Sequence, residues 1–331
     1  CYQITTSGGP AERAPGPFCP RTISEADVDN VGAWFNVQSI NGDGSATLTP
    51  GDLVDLTGSF ISSLPALYDD SNWQLYDSQT GDVRYTGTLE SCSGAAQPNV
   101  EAQYQQTCVE CEMDYLDDDF EITYLIPVTP IAATAVEDRI ASVGLALDGA
   151  ELSGSAPVQD ILSNYTIAAF DDCGGHINLH QGYHYHATTG CTDTTNTTDG
   201  HAPLIGYAVD GYPIYAMKDA GGNEAEGLDE CRGQTDDTRG YHYHAASASE
   251  NRFIGCLTGQ YAATNTDTGG GEPTGGPDFT AAIATLNSMG YSVTLAQLEA
   301  ALGTPPDFTA AATTLGIPYD VLVAALPAPP Q

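Results

Sequence analysis

The chain has 331 residues, enough for two or three domains with a sizeable core. Its 44 Asp and Glu residues against 8 Lys and Arg give a formal charge of −36, which repels nucleic acid and anionic membranes and favours cations. No run of ~18 apolar residues could cross a membrane as a helix, and nine cysteines in an acidic chain suggest an oxidising compartment.

Residues 1–22 form an arm rich in Gly and Pro, without hydrophobic periodicity, which on its own would be disordered. Its Cys1 could be a lipidated terminus or half of a disulfide, and a Cys1–Cys19 bridge would close the arm into a loop. From residue 23 to 128 the sequence reads as short strands between turn signals, which predicts a β-sandwich-like region. Within it, Ser45–Phe60 alternates in part, and Trp73–Leu89 reads as a hairpin around Thr80-Gly81-Asp82. The segment Ile40–Leu48 resembles a calcium loop with Asp43 as a ligand, but Ser39 and Pro50 stand where its end ligands belong, so a Gly-Asp-Gly turn is the simpler reading. Cys108 and Cys111 form a CxxC without a βαβ context, which points to disulfides rather than redox catalysis. Just beyond, Asp114, Asp117, Asp118 and Asp119 make the best acidic cluster for calcium, although such runs are usually solvated faces.

Residues 129–262 form a module marked by a hexapeptide that occurs twice, GYHYHA at Gly182–Ala187 and at Gly240–Ala245. Each copy is bracketed by cysteines, Cys173 and Cys191 around the first, Cys231 and Cys256 around the second, which suggests these two disulfides, with cross-pairing such as Cys173 with Cys256 as the competitor. Alternation suits a strand, so His184 and His186 share one face, as do His242 and His244, with the tyrosines opposite. If the copies pair, these four imidazoles converge with His176 nearby, and neutral imidazole is the commonest protein ligand for zinc and copper. The alternative is a polar ladder, with the imidazoles hydrogen-bonded to backbone or to Asp. Asp210-Gly211 is a hairpin signal. Asn164 and Asn196 head sequons that could carry glycan. No GxSxG, P-loop or GxGxxG is present.

The set CGGH (Cys173–His176), GYHYHA, GYAVDGYPIYA (Gly206–Ala216), LDEC (Leu228–Cys231) and the second GYHYHA with IGC resembles the YHYH domain family over residues 120–259. The resemblance implies a secreted or surface-associated protein, in a family that is mostly bacterial, and says little about activity.

Residues 263–276 read as a Gly/Thr linker. In residues 277–331, PDFTAAIATL (Pro277–Leu286) recurs as PDFTAAATTL (Pro306–Leu315), which predicts two small α-helical hairpin repeats that need a surface to dock on. The fold class expected is therefore mainly β, with a disulfide-stabilised histidine module and a small helical tail. The functional expectation is a secreted structural protein on the cell surface or outside the cell, assembling head to tail with copies of itself through its arm or tail into a filament or layer. The alternative is a copper- or zinc-handling protein. A metalloenzyme ranks lower, since no acid–base pair or activated nucleophile is recognisable.

Overall fold

The computed structural model describes residues 1–26, 31–35, 52–97, 100–137, 141–262 and 308–318, with isolated positions between 286 and 322. The fold is mainly β, and the chain divides into two units, Cys1–Glu272 and Pro273–Gln331.

The centre of the first unit is an eight-stranded sheet. We number its strands along the chain as β1 (Ser142–Ala146), β2 (Glu151–Ser153), β3 (Gly175–Asn178), β4 (Gly182–Tyr185), β5 (Leu204–Ala208), β6 (Pro213–Tyr215), β7 (Gly233–Asp236) and β8 (Gly240–His244). Across the sheet they stand in the order β3-β4-β2-β1-β5-β6-β8-β7. That order is two equivalent halves back to back. In each half a hairpin (β1–β2, β5–β6) lays its second strand parallel to a GYHY strand (β4, β8), which pairs antiparallel with the strand before it (β3, β7).

The duplication is also in the sequence. GLALDG at Gly144–Gly149 recurs as GYAVDG at Gly206–Gly211, and both Asp-Gly pairs make the hairpin turns, with Gly149 and Gly211 at φ +90° and +89°. The halves meet where β1 and β5 pair antiparallel, with Gly144 facing Ala208, Leu145 facing Tyr207 and Ala146 facing Gly206. Equivalent positions exchange across this seam, so a pseudo-twofold axis runs through the Leu145–Tyr207 pair. A Cβ on Gly144 would lie 2.1 Å from the Tyr207 carbonyl oxygen, and one on Gly206 would lie 2.4 Å from that of Leu145. Glycine at both places permits the close approach.

Among the described residues of 23–128 no sandwich is seen. Their described part holds helices α1 (Gly58–Leu67) and α2 (Leu89–Ala95), and its strands pair mostly outside the region. Ile122–Ile126 pairs with Tyr2–Thr6, Val31–Phe35 with Phe170–Asp171 as well as with Asp52–Asp55, and Thr107–Val109 with Thr166–Ala168. Where the sequence alternates toward Phe60, Thr57 caps α1 by accepting from the Phe60 amide, and Ile61 and Leu64 are buried at helical spacing. One turn of apolar burial and a cap outweigh the local strand signal. The hairpin expected at Thr80-Gly81-Asp82 is present as a tight turn, with Tyr76 bridged to Val83.

The arm is held by its own chain. Tyr2–Thr6 is a strand, the Gly8 carbonyl accepts from the Tyr183 amide, and Arg13 enters the histidine module. The disulfides correct one expected pairing. Cys19 bonds to Cys108 and Cys92 to Cys111, so the CxxC cysteines serve two separate bridges, while Cys1 is free and exposed. The ladder of Tyr2–Thr6 carries Cys1 to the sheet edge beside Ile126, and buried Phe18 takes Cys19 inward, so the two cannot meet. Cys173–Cys191 and Cys231–Cys256 pair as the bracketing suggested.

In the second unit, helix α4 (Phe308–Leu315) ends at Gly316, which adopts φ +67° (α3, Val158–Ser163, belongs to the first unit). Leu286, Val293, Ala312, Ile317 and Leu322 are buried there. The hairpin partners of the two repeats, residues 294–307 and 323–331, lie outside the described residues, as do the linker from residue 263 and the Ile40–Leu48 loop with Asp43.

Candidate metal centres

The GYHYH strands work through both faces. Each begins at a glycine in the left-handed region, Gly182 at φ +67° and Gly240 at φ +68°, which turns the chain sharply into the strand. On one face the tyrosines anchor to aspartates from two loops. Tyr183 donates to Asp171 at 2.8 Å, and Tyr241 to the equivalent Asp229 at 2.9 Å. Tyr185 donates to Asp148, and Tyr243 to Asp210 at 2.6 Å, both aspartates of the Asp-Gly turns. Asp171 and Asp229 each also accept from the amides of the cysteine and glycine that follow, Cys173 and Gly175 or Cys231 and Gly233. Burial first, and then the neighbouring carboxylate, push the Tyr183 and Tyr243 phenols up, so they stay protonated donors.

In the first half Arg13 adds a third layer. Its guanidinium lies 4.7 Å from the Tyr183 ring centre and 5.4 Å from that of Tyr185. It donates to both hydroxyls at 2.6 and 2.9 Å, and to Asp171 at 3.1 Å.

On the other face the histidines converge, in two sets rather than one. The first centre is His176, His184 and His186. The ladder puts His176 directly opposite His184, and their Nε2 atoms are 2.9 Å apart, with His186 Nε2 3.3 Å from that of His176. His184 Nδ1 faces the Gly182 carbonyl and His186 Nδ1 that of Gly154. A carbonyl only accepts, so each Nδ1 carries the proton and each Nε2 turns a bare lone pair inward. Burial, and then mutual repulsion, hold His176 well below the usual imidazole range, while burial pushes His184 to about 3 and His186 to about 4. The rings are thus held neutral at neutral pH, the form in which imidazole can ligate a metal.

The second centre is His201, His242 and His244. His242 Nδ1 faces the Gly240 carbonyl, His244 Nδ1 that of Ala216, and His201 Nδ1 that of Ala202. His201 and His242 then oppose their Nε2 acceptors at 3.1 Å. Gln234 stands where the first half has His176, and its amide reaches His242 at 3.2 Å and His244 at 2.9 Å. Tyr215 walls this centre, 4.6 Å from His201 between ring centres. Burial lowers His242 and takes His244 to about 4.

The single shared site expected from four converging imidazoles is therefore not formed. Strands β4 and β8 are five ladder steps apart, about 24 Å along the sheet at ~4.8 Å per step. Each pair is completed by its own third histidine, His176 from the neighbouring strand and His201 from a loop. His201 was not anticipated as a ligand. The signal for it lay in the duplication, because aligning the halves puts Gln234 opposite His176 and leaves the second set one imidazole short.

Among the other candidate residues, Asp117, Asp118 and Asp119 are exposed, and with Asp114 they do not gather any three carboxylates into one set. Asp114 lies in a 3-10 turn, Met113–Tyr115, and the other three follow in an exposed turn, as a solvated charge run does. Asn196 is exposed on the Thr-rich loop. Asn164 is half-buried, and the Thr166 of its sequon is buried in the ladder with Thr107–Val109. No helix among the described residues is long and apolar enough to cross a membrane.

Residues 123–226 match the family model described as YHYH protein. This span holds the first centre and His201, while His242 and His244 lie beyond it. No curated protein and no solved structure matches the chain.

Proposed function

We propose that the chain is a secreted metal-binding protein whose duplicated module holds two zinc or copper ions, one per half. One observation carries this reading. His201 and His242 commit both Nδ1 protons to backbone carbonyls and still face each other through Nε2 at 3.1 Å. Two such lone pairs repel at that distance, the Gln234 amide reaches only the His242 one, and a cation held between them relieves the repulsion. Tetrahedral zinc with Zn–N bonds of ~2.0–2.1 Å sets its ligand nitrogens ~3.3–3.4 Å apart, close to the spacing in both centres. The carbonyls behind the rings are the outer partners that fix tautomer and orientation in metal-bound histidine.

Four disulfides and the acidic surface support a location outside the cell, at the cell surface or beyond it. Self-assembly into a filament or layer was expected because the chain's ends needed something to hold them. At the N-terminal end that need is met within the chain, so metal binding is the reading we adopt.

The test is metal content of the purified full chain after exposure to Zn2+ or Cu2+ and removal of free ion. Two ions per chain are expected, one in His184→Ala or His242→Ala, and none in the double variant. Wild-type protein that folds yet retains no stoichiometric metal would overturn the proposal.

A further inference from the structure

The two centres are built from equivalent strands but not from equivalent surroundings. All three rings of the first sit on paired strands or their direct continuation, with His176 fixed against His184 by the β3–β4 ladder. The Phe170 ring packs on His176 and His186, at 4.5 and 5.3 Å between ring centres. In the second centre the third imidazole comes from a loop. His201 is held there by its backbone bonds with Thr197 and Asp199, and Asp199 is paired with Arg239. A cavity of about 190 Å³ opens onto His201, His244 and Gln234, and its other walls include Asp219, Glu224 and Glu226.

We infer that the second centre is the exchangeable one, loaded from solvent through this carboxylate-lined mouth, while the first, held on a strand ladder under Phe170, retains its ion. The inference rests on the metal reading of both centres. Three features carry it. A loop ligand can move away together with its backbone without breaking a strand ladder, whereas the backbone of His176 is fixed by one. The cavity gives a hydrated cation and an incoming ligand room beside His201 and His244, while the buried Phe170 ring packs directly on His176 and His186. The mouth attracts divalent cations and repels anions, although Arg232 pairs with Glu224 at its edge. Gln234 fits the same division of labour. A neutral carboxamide in the register of His176 can turn its oxygen toward an ion as a weaker fourth ligand, where an imidazole would hold more firmly.

The experiment uses the full chain loaded with Zn2+ and freed of excess metal, then mixed with EDTA while a zinc-sensitive dye reports release. Two phases of equal size are expected, differing in rate by at least ~10-fold because the shell around a site sets solvent access. His201→Ala should delete the fast phase and His176→Ala the slow one. Glu226→Gln touches no ligand, and should leave the slow phase alone while slowing reloading of the fast site at low salt. A single release phase, a fast phase that disappears with His176→Ala, or reloading unaffected by Glu226→Gln at low salt would each overturn the inference. A chain that holds no zinc at all would instead overturn the metal reading beneath it.

Discussion

Replacing Arg13 by Ala should destabilise the first unit through the buried cluster it completes. The guanidinium is one-quarter exposed, and its partner Asp171 is only 2% exposed. Removing one member of a buried ion pair typically costs ~3–5 kcal/mol. Here Asp171 would keep the Tyr183 hydroxyl and the amides of Gly16, Cys173 and Gly175, so its charge is not abandoned. The two tyrosine hydroxyls lose a charged donor, and both rings lose a cation. Together these place the loss at about 2–3 kcal/mol, which for a unit of this size is roughly 5–10 °C in Tm. Thermal unfolding of the full chain in the presence of EDTA, followed by circular dichroism, isolates this effect from metal binding. Arg13→Lys should recover less than half, since an ammonium cannot fork to two hydroxyls and a carboxylate. A Tm within ~1 °C of wild type for Arg13→Ala would refute the reasoning.

Three further outcomes are expected. Burial pushes the Glu151 carboxyl up from 4.5 to about 7. The folded chain therefore keeps a proton that the unfolded chain releases, and stability falls as pH rises from about 4.5 to 7, by roughly 3 kcal/mol. Glu151→Gln should flatten that part of the Tm–pH curve, and an unchanged slope would refute it. Replacing Cys231 and Cys256 together by Ser opens a bridge of sequence separation 25 and should cost roughly 3 kcal/mol, read as a lower denaturant midpoint. Tyr243→Phe removes the bond to Asp210 and should cost about 1–2 kcal/mol while metal content stays the same, because tyrosines and histidines use opposite faces. Loss of metal in that variant would contradict the separation of faces.

The histidine pairs and their bracketing cysteines were legible because they are local. Period-2 alternation places His184 with His186, and a disulfide that closes a short loop around a strand is marked by its spacing. What could not be read came from long-range contacts. Cys19 meets Cys108 only because the arm folds across the body, and nothing near Cys19 encodes that. His201 lies in a loop with no periodicity, so its role follows from the sheet order, which sets β8 far from His176. Helix α1 was hidden by residues that also suit strands, including Phe60 and Ile61, and by Pro65 inside it. The burial of Ile61 and Leu64 against the rest of the unit decides its form, and that surface is assembled from distant segments.

The seam between β1 and β5 implies something about how such a module can be assembled. Its register is its own mirror under rotation, so a chain carrying only one half would present an edge complementary to itself. Two such chains would join as an isologous dimer, with Leu145 of each copy on the axis. In the present chain the connection from Cys191 to Leu204 supplies that partner covalently, and the effective concentration of one half for the other no longer depends on dilution. Tethering also breaks an equivalence that a dimer must keep. In a homodimer position 176 and its counterpart are the same residue. Within one chain, one can stay histidine while the other becomes glutamine.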